Sequence, residues 1–267
     1  MAERERTKRM KQDHMIDVGG IRLHFNVWPG SGSTVLLECG GGDDLTGWGD
    51  LPDTLADKAS ASIVAYDRAG FGLSDLPATP YDLDEESRWL IEGLRQLELD
   101  HDLILVGHSY GGWLIRLHAH FLGEQVKGLI LVDAFSHEFV ELLGVDYLDR
   151  HPMCGADALR SDTPIEELPR EQAALVRMVS TGLGPKVARM AQTSIPRNLP
   201  VRVISSGNDA WWPETHEAEA WKRSHKAIAA TSANAQLIIA EGAGHMIPQE
   251  KPEAVVDAVL EVLRYAD

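Results

Sequence analysis

The chain has 267 residues, 44% of them apolar and 25% charged, which suits one large soluble α/β domain, or two small ones, with a substantial core. A formal charge of −16 excludes nucleic acid and anionic membranes as partners, because both would repel such a surface. With Cys39 and Cys154 as the two cysteines, no disulfide framework is implied and a reducing compartment is expected.

The opening MAERERTKRMK mixes both charge signs without an apolar centre, so residues 1–13 read as a flexible arm and not a secretory signal. No apolar run approaches a membrane span, and a cytoplasmic location is expected. Two short alternating runs, 14–18 and 21–27, flank Gly19-Gly20 and read as a hairpin. TVLLE at 34–38 is a buried strand running into Cys39-Gly40-Gly41-Gly42, and a short helix is expected over 51–59. Another strand, 62–66, leads into Asp67-Arg68-Ala69-Gly70-Phe71-Gly72, and leucines 83, 90, 94 and 97 give 82–97 a helical period.

Next comes Leu103-Ile104-Leu105-Val106-Gly107-His108-Ser109-Tyr110-Gly111-Gly112-Trp113, an apolar run, a tight turn and the start of an amphipathic helix. In that context Gly-x-Ser-x-Gly lifts a serine hydroxyl clear of a sheet as a nucleophile, with glycines where a Cβ would clash. A strand at 126–132 closes with Asp133. Residues 135–198 loosen into prolines and acidic clusters with one clear helix near 171–179, too long for a plain connection, and read as an inserted lid. Strands at 201–205 and 236–240 and helices at 216–230 and 252–265 complete the chain. Strands alternating with helices predict a mostly parallel central sheet covered on both faces, with a core over 14–134 and 199–267.

A serine nucleophile needs a base, and the base needs an orienting acid. His245 follows the last strand and Gly242-Ala243-Gly244, a loop position hard to explain by packing, and is the expected base. His108 beside the serine is expected to support the turn, and the remaining histidines show no metal-ligand spacing, so neither metal nor other cofactor is expected. Asp209, beyond the strand at 201–205, is the first choice for the acid, with Asp133 the alternative; both give the order Ser…Asp…His. Backbone N–H groups of Tyr110 and Gly41 are the expected oxyanion donors.

GHSYGG at 107–112, YDRAGFGLSD at 66–75, LILVDA at 129–134, LPVRVISSGND at 199–209 and GAGHMIPQEKP at 242–252 together resemble the α/β-hydrolase superfamily over nearly the whole chain. The resemblance implies the α/β-hydrolase fold with a helical lid and puts Asp209 where relatives usually carry the triad acid, though some take it from the end of the preceding strand, the place of Asp133. Relatives often carry His-Gly where this chain has Cys39-Gly40, so the hydrogen bonding behind that loop must differ; Cys39 itself reads as a small buried apolar residue. Dehalogenases and epoxide hydrolases of the superfamily use an aspartate at the elbow, and Ser109 argues against both chemistries.

The expected activity is hydrolysis of a small or medium carboxylic ester or lactone through an acyl-enzyme, with a small-molecule substrate as partner. Alternatives are carbon–carbon hydrolysis or lyase chemistry on a carbonyl compound, or a ligand-binding receptor on a hydrolase scaffold. Phe135, Phe139, Leu142, Leu143, Tyr147, Met153, Leu159, Met178, Val179, Met190 and Trp211-Trp212 are candidate walls for the substrate, or simply lid packing. Lid arginines 150, 160, 170, 177 and 189 are expected in solvated pairs.

Overall fold

The computed structural model describes residues 9–148, 163–212 and 214–266. Eight strands form one sheet in the order β1-β2-β4-β3-β5-β6-β7-β8: β1 Gln12–Asp17, β2 Arg22–Trp28, β3 Thr34–Glu38, β4 Ser62–Asp67, β5 Leu103–His108, β6 Val126–Val132, β7 Val201–Ser206 and β8 Ala235–Ala240. β2 runs antiparallel to both β1 and β4, and every other pairing is parallel.

Alternation along each strand divides the core in two. Val35, Leu37, Ile63, Ala65, Ile104, Val106, Ile130 and Val132 face helices α1 (Leu51–Lys58) and α8 (Pro252–Ala266). Their neighbours Leu36, Val64, Leu103, Leu105, Leu129 and Leu131 face α2 (Leu83–Gln96), α3 (Tyr110–Leu122) and α7 (Thr215–Ala229). Because both faces are covered, β5 is buried at all six positions, and its first four residues, LILV, read as an unbroken apolar run.

β1 starts at Gln12, inside the stretch expected to be an arm, and the Arg9 guanidinium donates to the carbonyls of Pro29, Ala59 and Ala61 at 2.8–3.0 Å. Residues 1–8 lie outside the described residues. Between β6 and β7 the described part of the lid carries α4 (His137–Leu143), α5 (Arg170–Val179) and α6 (Leu183–Met190). The candidate wall residues Met153 and Leu159, together with Cys154, Arg150 and Arg160, fall outside the described residues.

The sheet order places the glycine loop after β3 beside the serine turn after β5, with the end of β6 next on the other side. Loops at the carboxyl ends of adjacent parallel strands converge there, where open α/β sheets gather their sites.

Candidate active site

Ser109 sits alone on the turn between β5 and α3, with φ 52° and ψ −119°. L-residues hold such angles only where the surroundings enforce them. A Cβ on Gly107 would lie 2.4 Å from the Gly111 carbonyl oxygen, and one on Gly111 would lie 2.3 Å from those of Glu38 and Cys39. Strand, helix and the end of β3 therefore meet at backbone contact. The turn is tied to β6 by Ser109 N–H donating to Val132 O (3.0 Å) and Phe135 N–H donating to Ser109 O (2.9 Å).

Ser109 Oγ lies 3.0 Å from Nε2 of His245, and His245 Nδ1 lies 2.8 Å from Oδ2 of Asp133. With Nδ1–H donating to the carboxylate, Nε2 is left to accept from the serine hydroxyl. Asp133 is buried, and its other oxygen accepts the Ser206 N–H at 2.8 Å. Burial pushes this carboxyl up, but the bond from His245, the nearby His225 and His245 and the Ser206 amide outweigh it, holding it below the usual carboxylate range.

The first-choice acid is corrected by this geometry. Asp209 is a half-exposed surface residue bonded to Lys222 Nζ at 2.6 Å, and nothing joins it to His245. β6 is the immediate neighbour of β5, with His108 opposite Val132, so the first residue after β6 arrives beside the serine turn. Asp209 follows β7, one strand further out, and three residues beyond its end. In the sequence Asp133 is marked only as the residue that closes the apolar run LILV; its strand's pairing with the elbow strand comes from the fold.

Gly41 and Tyr110 lie together: a Cβ on Gly41 would stand 3.4 Å from the Tyr110 Cβ. Neither backbone N–H has an acceptor among the described residues. What aims the Gly41 group is Arg68, whose role the sequence reading missed. Its guanidinium donates to Cys39 O at 2.6 Å, to Gly40 O and to the Glu38 carboxylate at 2.9 Å, all fully buried. In a trans peptide C=O and N–H point opposite ways, so holding the Gly40 carbonyl behind the loop turns the Gly41 N–H to the front. Glu38 in turn is met by Tyr66 and by His118 at 3.1 Å. Cys39 donates its thiol to Asp44 O at 3.0 Å, and burial pushes that thiol well up, so it is held protonated.

A model described as an alpha/beta hydrolase family matches residues 35–258, from β3 into α8. The chain belongs to the alpha/beta hydrolase family. Among curated proteins, an uncharacterized Mycobacterium bovis protein is 27% identical, covering 97% of this chain and 85% of its own. The 2-(acetamidomethylene)succinate hydrolase of Mesorhizobium japonicum is 25% identical, covering 92% of this chain and 95% of its own. Solved structures share the fold: epoxide hydrolase CorEH has a TM-score of 0.68 at 20% identity, covering 96% of this chain and 99% of its own. A thermophilic esterase from Thermogutta terrifontis gives 0.62 at 23%, covering 97% and 99%.

Buried and aromatic side chains surround the Ser109–His245–Asp133 contacts. His108 donates Nε2–H to the His245 carbonyl (2.8 Å), fixing the loop that carries the imidazole; burial first, then the adjacent His245, pulls His108 down to about 4. Buried His225 donates to Ala134 O (3.1 Å), just past Asp133, and accepts from Ser205 (2.8 Å). Trp211, 46% exposed, stacks on the His245 ring with centroids 4.7 Å apart, and Trp221 meets it edge-on at 5.9 Å. Met178 and Leu175 of lid helix α5 come down over Gly41 and Gly42, while Phe135, Phe139, Met190 and Trp212 pack into one cluster with Trp113 and Trp221. Among the described residues no three His, Cys, Asp or Glu side chains gather into a metal-binding group, and no helix is long and apolar enough to cross a membrane.

Proposed function

We propose that this hydrolase cleaves a small or medium carboxylic ester or lactone through an acyl-enzyme formed on Ser109. The observation that carries the reading is the continuous chain Ser109 Oγ, His245, Asp133, with contacts of 3.0 and 2.8 Å. His245 takes the hydroxyl proton as Oγ attacks the carbonyl carbon, and Asp133 holds the tautomer and balances the imidazolium. The Gly41 and Tyr110 N–H groups receive the oxyanion, the second helped by the N-terminus of α3. His245 returns the proton to the departing alkoxide, then activates water to release the acid and restore Ser109.

A small-molecule substrate fits a relative named for hydrolysis of a succinate derivative across 92% of this chain. Carbon–carbon hydrolysis of a carbonyl compound is the second reading; it is supported by the 30% identity to the 2-hydroxy-6-oxo-2,4-heptadienoate hydrolase of Pseudomonas putida, over 49% of this chain. Ser109, in place of an elbow aspartate, speaks against epoxide or haloalkane chemistry. The test is a fluorophosphonate probe with a panel of 4-nitrophenyl esters, lactones and β-diketones. Ser109 should be the labelled residue, and Ser109→Ala should lose both label and ester turnover. Wild-type turnover by Ser109→Ala would overturn the reading, and binding without product by the native protein would favour a receptor.

A further inference from the structure

Lys186 stands outside the triad and the oxyanion donors, yet it touches the residue that follows the nucleophile. It lies on α6 of the lid, is 6% exposed, and carries three donors. Among the described residues its one hydrogen bond is long, 3.5 Å to Tyr110 Oη, with the ammonium 5.9 Å from the centre of the Tyr110 ring. No carboxylate among the described residues comes within ion-pair distance of it. Glu86, the nearest buried acid, acts on Lys186 through its charge and not through contact: Oε2 accepts from Tyr110 Oη at 3.1 Å, and Oε1 lies 3.4 Å from Arg68 Nε without a hydrogen bond.

A dry ammonium with unused donors is costly unless an anion or further acceptors complete its shell. Burial pulls this ammonium down, and the charges of Glu86 and Asp82 oppose that shift. Three other described lid cations bind elsewhere. Arg170 and Arg177 donate to the carbonyls of Ser74 and Ala78, and Arg189 pairs with Asp84 at 2.6 Å. Lys186 is thus the lid cation held against the elbow, resting on the side chain whose backbone N–H faces the reacting carbonyl. The ammonium meets the elbow through the side chain of Tyr110, the residue directly after Ser109.

Resting on the acyl-enzyme reading, we propose that Lys186 recognises a carboxylate at the far end of the substrate's acyl chain. The substrate class is then the half-ester, or a comparable monoacyl derivative, of a short dicarboxylic acid. The acyl chain runs from Ser109 along Tyr110, and its free carboxylate takes the two open donors of the ammonium.

The test compares 4-nitrophenyl monoesters of succinic and glutaric acids with 4-nitrophenyl butyrate and valerate. The native hydrolase should prefer the acid-tailed esters. In Lys186→Met the ratio of kcat/KM for acid-tailed over neutral esters should fall roughly a hundredfold, mostly through KM, as for truncation of a desolvated charge contact. Lys186→Arg should recover much of that ratio. An unchanged ratio, or equal losses on both series, would overturn the proposal. A second measurement needs no variant: succinate or glutarate should slow fluorophosphonate labelling of the native protein, whereas butyrate should not. Labelling of Ser109 with no protection by either diacid sinks the Lys186 proposal alone. Failure to label Ser109 at all sinks the acyl-enzyme reading beneath it.

Discussion

At Asp133 the backbone turns to φ 41°, in the left-handed region that aspartate tolerates better than most residues but still adopts at a cost. That angle directs the carboxylate inward, between the Ser206 amide and His245, immediately after a strand that would otherwise continue. Asp209 meets none of these constraints: it is half-exposed and pairs with a surface lysine, an arrangement worth little in water. Exchange of the two carboxylates for amides separates their roles. Asp133→Asn leaves a side chain of the same shape that no longer fixes the tautomer, and should lower kcat on a 4-nitrophenyl ester about ten-thousandfold. Asp209→Asn should change it by less than about twofold, as for a surface substitution away from the site. Comparable losses in both variants would reopen the choice of acid.

The glycine loop proposed to bind the oxyanion is held by one element acting on another. Strand β4 ends at Asp67, and the next residue, Arg68, reaches across to the end of β3, where it binds the Cys39 and Gly40 carbonyls and the Glu38 carboxylate. The guanidinium fork suits this task because it meets several oxygens in one plane, which an ammonium cannot do. Arg68→Lys keeps the charge beside Glu38 but frees at least one carbonyl, letting the Gly41 peptide rotate. It should lower kcat by about a hundredfold, the usual scale for loss of one oxyanion donor, with a small change in KM. A KM effect without a kcat effect would mean that Arg68 supports substrate binding and not the loop. Arg68 thus binds from behind a loop that begins with Cys39. The positions of Ser109, His245 and the glycine loop were legible in the sequence because each is local: each follows its own strand directly. The acid was not, since choosing between two strand-end aspartates requires knowing that β6, and not β7, lies against β5. Arg68 was hidden for the same reason, its partners lying 28–30 residues upstream on a strand paired only in three dimensions.

For the whole molecule, the buried histidines tie stability to pH. His108 titrates at about 4, against an ordinary 6.5, because burial disfavours its cation and His245 adds to that; buried His225 is shifted downward as well, chiefly by burial. With a folded value below the unfolded one, the unfolded chain takes the proton first as pH falls. The His108 contribution is therefore complete above pH 6.5 and is lost between there and about pH 4, roughly 3 kcal/mol, and His225 acts in the same direction. The depressed carboxyls of Asp133 and Glu38 extend the loss further into acid. Asp43 and Glu86, raised by burial, act in the opposite sense by binding protons first in the folded state. Urea unfolding between pH 7 and pH 4 should show stability declining from about pH 6.5, earlier than carboxylates alone would produce. In His108→Gln the amide can still donate to the His245 carbonyl but cannot titrate, so the decline over this window should be visibly shallower. An equal slope in the variant would show that His108 is not the group whose protonation loosens the fold.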